Sequence, residues 1–455
     1  MNVERKDLEA FGYRQELKRS LPLSGLLVYG LVFIGPIAPI TVFGIVYNAS
    51  RGMVPLVYLV GLAAMFFTAN SYTTMARLYP LAGSAYVYAT RSIGDTVGFL
   101  AGWAILLDYL LLPTLSNVVV AIAIHALVPW LSLSAVVISV LLLTTIVNYL
   151  GIESTARASF ALLILQLVVL AAFMAVGVVA LWNGVAGARL ATAPLFNPAV
   201  FSPGVILGAA SLGVLSFLGF DAISTLAEES EGGAGAIAKA TLVSLGIAAA
   251  LFVGQTYLAS LFVLGRTGFP LGDATDAAFY DIAALIGGGW LKFLVAFPGI
   301  VLGAIAGSLA SQAATARLIY GMARDGKLPR GLAHVHPRRK VPERAILLVA
   351  GITLALGVLL VSRLELLTSV VCFGALLGFI LVNASVLAHY RSEGLGGRRA
   401  KLISPALGLI ITGFVLWNTS SNAKIVGVAW TIVGLCYYAA LRIRGRGTTL
   451  VQATD

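Results

Sequence analysis

Asp108 and Asp221 stand out in this chain because of where they lie. Of its 19 Asp and Glu residues, only Asp108 sits deep inside an unbroken apolar run, Leu106-Leu107-Asp108-Tyr109-Leu110. Asp221 sits at a break in another, Phe217-Leu218-Gly219-Phe220-Asp221. A charge at the centre of an apolar spanning helix costs about 2.5–3.5 kcal/mol, so such residues mark pathways or partners. Asp108 has three readings. It pairs with a positively charged amine, it cycles a proton, or it is a structural acid bonded to helix or water. No Lys or Arg is expected at matching depth, which weakens a fixed internal ion pair. Tyr109 and Phe220 flank the two acids, and an aromatic face attracts an amine by about 0.5–2 kcal/mol. Ordinary packing is the competing reading, more so for Phe220. Asp221 either contacts a ligand or ties broken backbone.

Breaks in the apolar runs supply a second kind of chemistry. Gly35-Pro36-Ile37-Ala38-Pro39 interrupts the first run and Gly219-Phe220-Asp221 the sixth. Phe33-Ile34-Gly35 with Ala38 matches Phe217-Leu218-Gly219 with Ala222 in spacing. The two runs are five apart, so they start on opposite sides. This is the signature of two five-helix repeats in inverted orientation, with a midplane site where unwound backbone faces a cavity. Chance placement of Gly and Pro, both common in membrane helices, is the plainer alternative. The free groups of Gly35 to Ala38 and Gly219 would meet polar parts of a ligand. Glu228 and Glu229 follow the sixth run, either as a gate with basic loop residues or as a solvated pair. Gly299, Gly303 and Gly307 recur every four residues and read as close helix packing.

The elements that must position these residues are apolar and long. Hydrophobic residues make up 59% of the 455 and charged residues 11%, with a mean hydropathy of +0.96. Soluble domains carry about 25% charged residues, so one soluble core is excluded. Runs near the roughly 20 residues that cross a bilayer fall at 22–47, 54–78, 97–126, 133–150, 160–181, 203–227, 241–264, 287–314, 345–361, 366–387, 402–417 and 425–441. The expectation is an all-α membrane protein with twelve transmembrane helices. Residues 1–21 form an N-terminal segment, 22–181 the first repeat, 203–388 the second, 402–441 two extra spans, and 442–455 a tail. Six of the 30 Lys and Arg residues, Arg51, Arg189, Arg266, Lys292, Arg363 and Lys424, fall on one side. The rest fall with both termini, which the positive-inside rule makes cytoplasmic.

The net charge of +11 is therefore topology and not a nucleic-acid surface, and the basic side also offers contact to anionic lipid. The charged opening, Met1 to Ser20, predicts no cleaved signal peptide. Cys372 and Cys436 lie in apolar runs and read as buried; neither a disulfide framework nor a metal spacing is present, and no cofactor is expected. His125 lies near a run end and His334, His336 and His389 lie outside the runs, so Asp108 and Asp221 are left as proton carriers. No His-Glu-x-x-His or Gly-x-Ser-x-Gly motif argues for an enzyme, and paired breaks argue for rocking halves over a channel or receptor.

Three motifs carry a resemblance. They are Phe217 to Asp221 followed by Ala227-Glu228-Glu229, Pro80-Leu81-Ala82-Gly83-Ser84-Ala85-Tyr86, and Arg317-Leu318-Ile319-Tyr320 with Ala323-Arg324-Asp325-Gly326. On these the chain resembles the amino acid–polyamine–organocation transporter superfamily, whose fold is the leucine-transporter-type five-plus-five inverted repeat. Leu106 to Leu110 and Ser216 to Leu226 are most similar to its putrescine importers. The resemblance implies a secondary transporter in the plasma (inner) membrane, importing a small cationic amine with protons, or alternatively an amino-acid permease. It implies a substrate site at Gly35, Pro36, Ile37, Ala38, Thr41, Asp108, Tyr109, Phe217, Gly219, Phe220 and Asp221. Tyr109 then lines the pathway and Phe220 matches an aromatic gate. Asp108, Asp221, Gln166, Glu228 and Glu229 become coupling or gating candidates. Two departures count. Thr41 stands where the putrescine importers carry an Asp, and Gln166 stands near where some proton-coupled relatives place a Lys.

Overall fold

A computed structural model describes residues 11–443 except 129, 272, 361–363, 393–398 and 420. Arg5, Lys6, Arg363, Arg398 and the tail beyond 443, all used above to orient the chain, lie outside the described residues. The first apolar run is split into α1 (Leu23–Ile34) and α2 (Ala38–Ser50), bent by 44°. Then come α3 (Val54–Leu78), α4 (Ala85–Ser92), α5 (Asp95–Leu127), α6 (Leu133–Leu150) and α7 (Ile152–Trp182). α8 (Pro203–Gly213) passes into two 3-10 segments, Val214–Phe217 and Phe220–Leu226. After α9 (Gly233–Leu261) come the short α10 (Asp273–Asp276), α11 (Ala278–Gly287) and α12 (Gly289–Leu294). A π turn at Val295–Gly299 then opens α13 (Ile300–Arg324). The chain closes with α14 (Glu343–Leu359), α15 (Leu364–Ser392), α16 (Ile403–Trp417) and α17 (Ser421–Ile443). Among the described residues there is no strand beyond an isolated bridge between Leu21 and Ser230.

Nine described helices are long and apolar enough to cross a membrane, ten when α1 and α2 count as one. α14, with 17 residues, and α16, with 15, are shorter than the other expected crossings. Apolar side chains outside the core, such as Phe160, Leu165, Val168, Val178 and Val179 on α7, are exposed. Hydrocarbon, not water, is the solvent that accepts such a face. Cys436 is also exposed, unlike the buried position expected of it, whereas Cys372 is buried.

Each irregularity has a local cause. Gly35 caps α1 at φ 78°, and Pro36 has no N–H with which to continue the helix. α2 restarts with Pro39 in its first turn, where a missing N–H is harmless. Gly219 takes φ 114° between the two 3-10 segments, a conformation glycine adopts without penalty. Leu21 N–H donates to the Glu229 carbonyl at 3.0 Å, so the start of the first broken element abuts the end of the second. The two therefore run antiparallel, with their breaks in contact at Phe33 and Gly219.

The central α5 packs on α13 and α15, and α17 is clamped to it by aromatics. Trp103 and Trp430 stack at 4.7 Å between centroids, and each indole N–H donates to the other's carbonyl, at 2.9 and 2.7 Å. Phe99 stacks on Tyr438 below them. Trp430→Ala should therefore lower stability by somewhat less than the roughly 3–5 kcal/mol of a fully buried tryptophan. Thermal unfolding of purified protein in detergent measures it, and an unchanged midpoint would show that the clamp does not hold α17.

Candidate functional site

The two breaks face different surroundings. Beside the first lies a cavity of about 270 Å³. Gly35, Ile37, Ala38 and Thr41 form one wall, Leu112, Leu115, Ser116 and Val119 of α5 a second, and Val295, Gly303 and Gly307 a third. A Cβ at Gly303 would meet Ile37 at 3.1 Å and one at Gly307 would meet Ser116 Oγ at 3.1 Å, the close packing expected of them, and both also line the cavity. Pro36 is held from outside, its carbonyl accepting from Gln255 Nε2 at 2.9 Å. The Thr41 hydroxyl donates back to the Ala38 carbonyl at 3.0 Å.

Asp108 does not line this cavity. It is 3% exposed and precedes Leu112, Leu115 and Val119 at helical spacing, so it stands on the cavity face of α5, one turn beyond the wall. The backbone of Gly374 in α15 closes over it: a Cβ there would lie 3.2 Å from the Asp108 Cβ. No basic residue is paired with Asp108 among the described residues, and its Oδ1 makes no hydrogen bond there.

Asp221 is held. Tyr109 Oη donates to its Oδ2 at 2.5 Å, and the Ser224 hydroxyl donates to its carbonyl at 2.6 Å. The Tyr109 ring packs on Phe33 at 5.7 Å, joining the second break to the first. Pro113 explains the anchoring of Tyr109. Lacking an N–H, it frees the carbonyl four residues back, which is that of Tyr109. The Thr315 hydroxyl of α13 lies 2.6 Å from that oxygen and 2.6 Å from the Ser311 carbonyl, so its single proton serves one at a time. Phe217 packs on Tyr58 and Phe252, and Phe220 on Tyr72 and Phe379, both fully buried away from the cavity. Gln166 is fully buried beside Gly303, with both ends of its amide unpaired among the described residues.

Glu228 and Glu229 are neither solvated nor paired with loop residues. Both are buried in the turn after the second 3-10 segment. Glu229 binds Arg317 through two hydrogen bonds, and Glu228 binds Arg324 at 2.9 and 3.1 Å. Arg317 and Arg324, expected in a connection, lie on α13, seven residues apart on one face. Residues 11–21 strap across this region. Tyr13 and Tyr86 both donate to Asp325 at 2.8 Å, Gln15 donates to the Glu228 carbonyl, and Tyr320 donates to Glu16. Burial raises the Asp325 carboxyl above its ordinary value, against the pull of Tyr86, Arg324 and Tyr13. Burial first, then Asp325, pushes the Tyr13 hydroxyl up to about 12. The sequence reading missed Arg317, Arg324, Thr315 and Gln255. The two glutamates with two arginines on one helical face were the legible signal. Thr315 and Gln255 had none.

One face is thus sealed by ion pairs, and a cavity lies beside a broken helix pair. Residues 29–444 match the family described as "Amino acid permease". The chain belongs to this family. It is 32% identical to the low-affinity putrescine importer PlaP of Escherichia coli, over 94% of each chain. It is also 32% identical to an uncharacterized transporter of Mycobacterium tuberculosis, over 99% of this chain and 98% of that one. It is 26% identical to the branched-chain amino acid permease BcaP of Bacillus subtilis, over 93% of each. The permease is accordingly a multi-pass membrane transporter of the amino acid–polyamine–organocation superfamily, not an enzyme.

Two outcomes follow from this geometry. In the permease, Thr315→Val should cost about 1–3 kcal/mol by leaving the Tyr109 carbonyl unpaired in a dry interior, while Thr315→Ser should be close to neutral. Equal melting temperatures for the Val and Ser variants would remove Thr315 from the anchoring of Tyr109. Arg317→Met strands the Glu229 carboxylate and should cost about 3–5 kcal/mol. Adding Glu229→Leu should then recover most of the loss, and a double variant no more stable than the single would refute the coupling.

Proposed function

We propose that the permease imports a small organic cation, putrescine or a related amine, with protons and by alternating access. Asp108 carries this reading. It is buried on the cavity face of α5 with no paired cation among the described residues; Asp221 has none there either, but one of its oxygens is taken by the Tyr109 hydroxyl, and Arg317 is taken by Glu229. A mobile ammonium is the natural partner for such a carboxylate. The identity to a putrescine importer supports the same class of substrate. In this reading Gly35, Pro36, Ile37, Ala38, Thr41 and Gly219 offer backbone and hydroxyl groups, and Tyr109 passes changes at Asp108 to Asp221. Phe217 and Phe220 fix the second break. Gln166 faces the substrate path, and Glu228 and Glu229 form the inner gate with Arg317 and Arg324.

Twelve crossings complete the proposal: two five-helix repeats of opposite orientation, at 22–181 and 203–388, and two further spans at 402–441. The antiparallel contact of the two breaks supports the repeats. The bias of basic residues supports cytoplasmic termini. The strapped, ion-paired face is then the cytoplasmic one, closed in this conformation.

A second reading, uptake of an amino acid, is favoured by one observation. No carboxylate lines the cavity, and α2 begins at its wall. A helix start carries partial positive charge and free amides that suit a substrate carboxylate. Binding of putrescine, monoamines and neutral amino acids to the purified permease separates the two readings.

The decisive variant is Asp108→Asn. For an amine substrate it should weaken binding by about 1.5–3 kcal/mol, the worth of a charge-assisted hydrogen bond, or roughly 10- to 150-fold. Were Asp108 only a proton carrier, binding and counterflow would survive while pH-driven accumulation failed. Unchanged binding, counterflow and accumulation would remove Asp108 from transport altogether.

A further inference from the structure

A second pocket, of about 460 Å³, lies away from the transport cavity, between the ends of α3, α15 and α16. Asn70, Thr74 and Arg77 of α3, Tyr390 of α15, Lys401 in the 3-10 turn before α16, and Ser404 at its start supply polar lining. It belongs to the strapped face: Tyr79, just after α3, packs on Phe11 of the strap on one side and His389 on the other.

We propose that this pocket binds a phosphate group, carried by an anionic phospholipid headgroup or present as free phosphate. Two cations, Arg77 and Lys401, point to an anion, and among the described residues no carboxylate lines the pocket to neutralise them. Among the described residues neither makes an ion pair; Lys401 only lies over the Tyr390 ring at 5.7 Å. The neutral walls, by contrast, are already joined. Asn70 Nδ2 donates to Ser404 Oγ at 3.0 Å, and the Thr74 hydroxyl donates to the Asn70 carbonyl at 2.9 Å. The wall is therefore fixed while the charged donors remain available. A guanidinium fork matches two phosphate oxygens at once, and an ammonium adds a point charge beside it. Both cations are exposed at helix ends, the depth at which headgroups lie. Leu78, Val386 and Pro405 give the pocket an apolar side as well, which a glycerol backbone and the first acyl carbons can cover. An amphiphile uses both sides, and a free ion uses only one.

The test is retention of ligand by purified permease, read by native mass spectrometry and by thermal unfolding. The probes are phosphatidylglycerol, phosphatidylcholine and inorganic phosphate. Phosphatidylglycerol should be retained and raise the melting temperature, and phosphatidylcholine should do neither. At about 1 kcal/mol for each basic residue near a charged surface, Arg77→Gln and Lys401→Gln should each lower phosphatidylglycerol affinity roughly fivefold. Arg77→Lys should lose less than Arg77→Gln. Lys424→Gln, at the other end of the bundle, should lose nothing. Inorganic phosphate that stabilises the permease, with the same dependence on Arg77 and Lys401, would assign the site to a soluble ion. Phosphatidylglycerol affinity unchanged in both Gln variants, or matched by phosphatidylcholine, together with no effect of phosphate, overturns the proposal.

Discussion

Hydrocarbon offers no water to a backbone group that has lost its partner, and each such group costs several kcal/mol. Several features of this permease that depart from a straight helix are shaped by that constraint. The first element breaks at Gly35 and Pro36, and Gln255 of α9 takes the Pro36 carbonyl. α5 carries Pro113, and Thr315 reaches the Tyr109 carbonyl it frees. The second element tightens into 3-10 turns around Gly219, and Ser224 takes the Asp221 carbonyl. Beyond it, Gln15 of the strap takes the Glu228 carbonyl. The irregular backbone is therefore bound to particular neighbours.

The charged groups are distributed by the same logic. Glu228 and Glu229 are buried, and an ionised carboxylate is costly to bury without a partner of good geometry. Arg317 and Arg324 provide it, and the strap of residues 11–21 covers the pairs from outside. This face is closed by electrostatics and hydrogen bonds. The cavity side is instead neutral and mostly apolar, with Ser116 and Thr41 as its hydroxyls.

Asp108 and Asp221 show how two buried acids in one protein come to differ. Asp221 is tied to Tyr109, which is tied in turn to α13 and to Phe33. Asp108 lies one residue earlier than Tyr109 on the same helix, against the Gly374 backbone; each acid keeps one oxygen without a hydrogen bond among the described residues, and what differs is the tyrosine that holds the other oxygen of Asp221. Adjacent positions on a helix point about 100° apart, so the two side chains reach different neighbours. Tyr109 faces the second break, and Asp108 shares a face with the cavity wall.

The amino-acid sequence by itself determined the class of the molecule and the location of its exceptions. Apolar runs of spanning length, an acid deep in one of them, and Gly and Pro in the first and sixth are local properties. Hydrocarbon leaves a chain few ways to satisfy them. The same reading placed Arg317 and Arg324 outside the helices, because charge was taken as the end of a span. Only the tertiary structure decided otherwise, since α13 continues once Glu228 and Glu229 fold back to meet them. It also decided that Phe217 and Phe220 pack away from the cavity, that Gly303 and Gly307 line it, and that residues 11–21 belong to the fold. None of these is local. Each depends on which residue from a distant part of the chain arrives opposite, and a hydrogen bond or a cavity exists only when both sides are present.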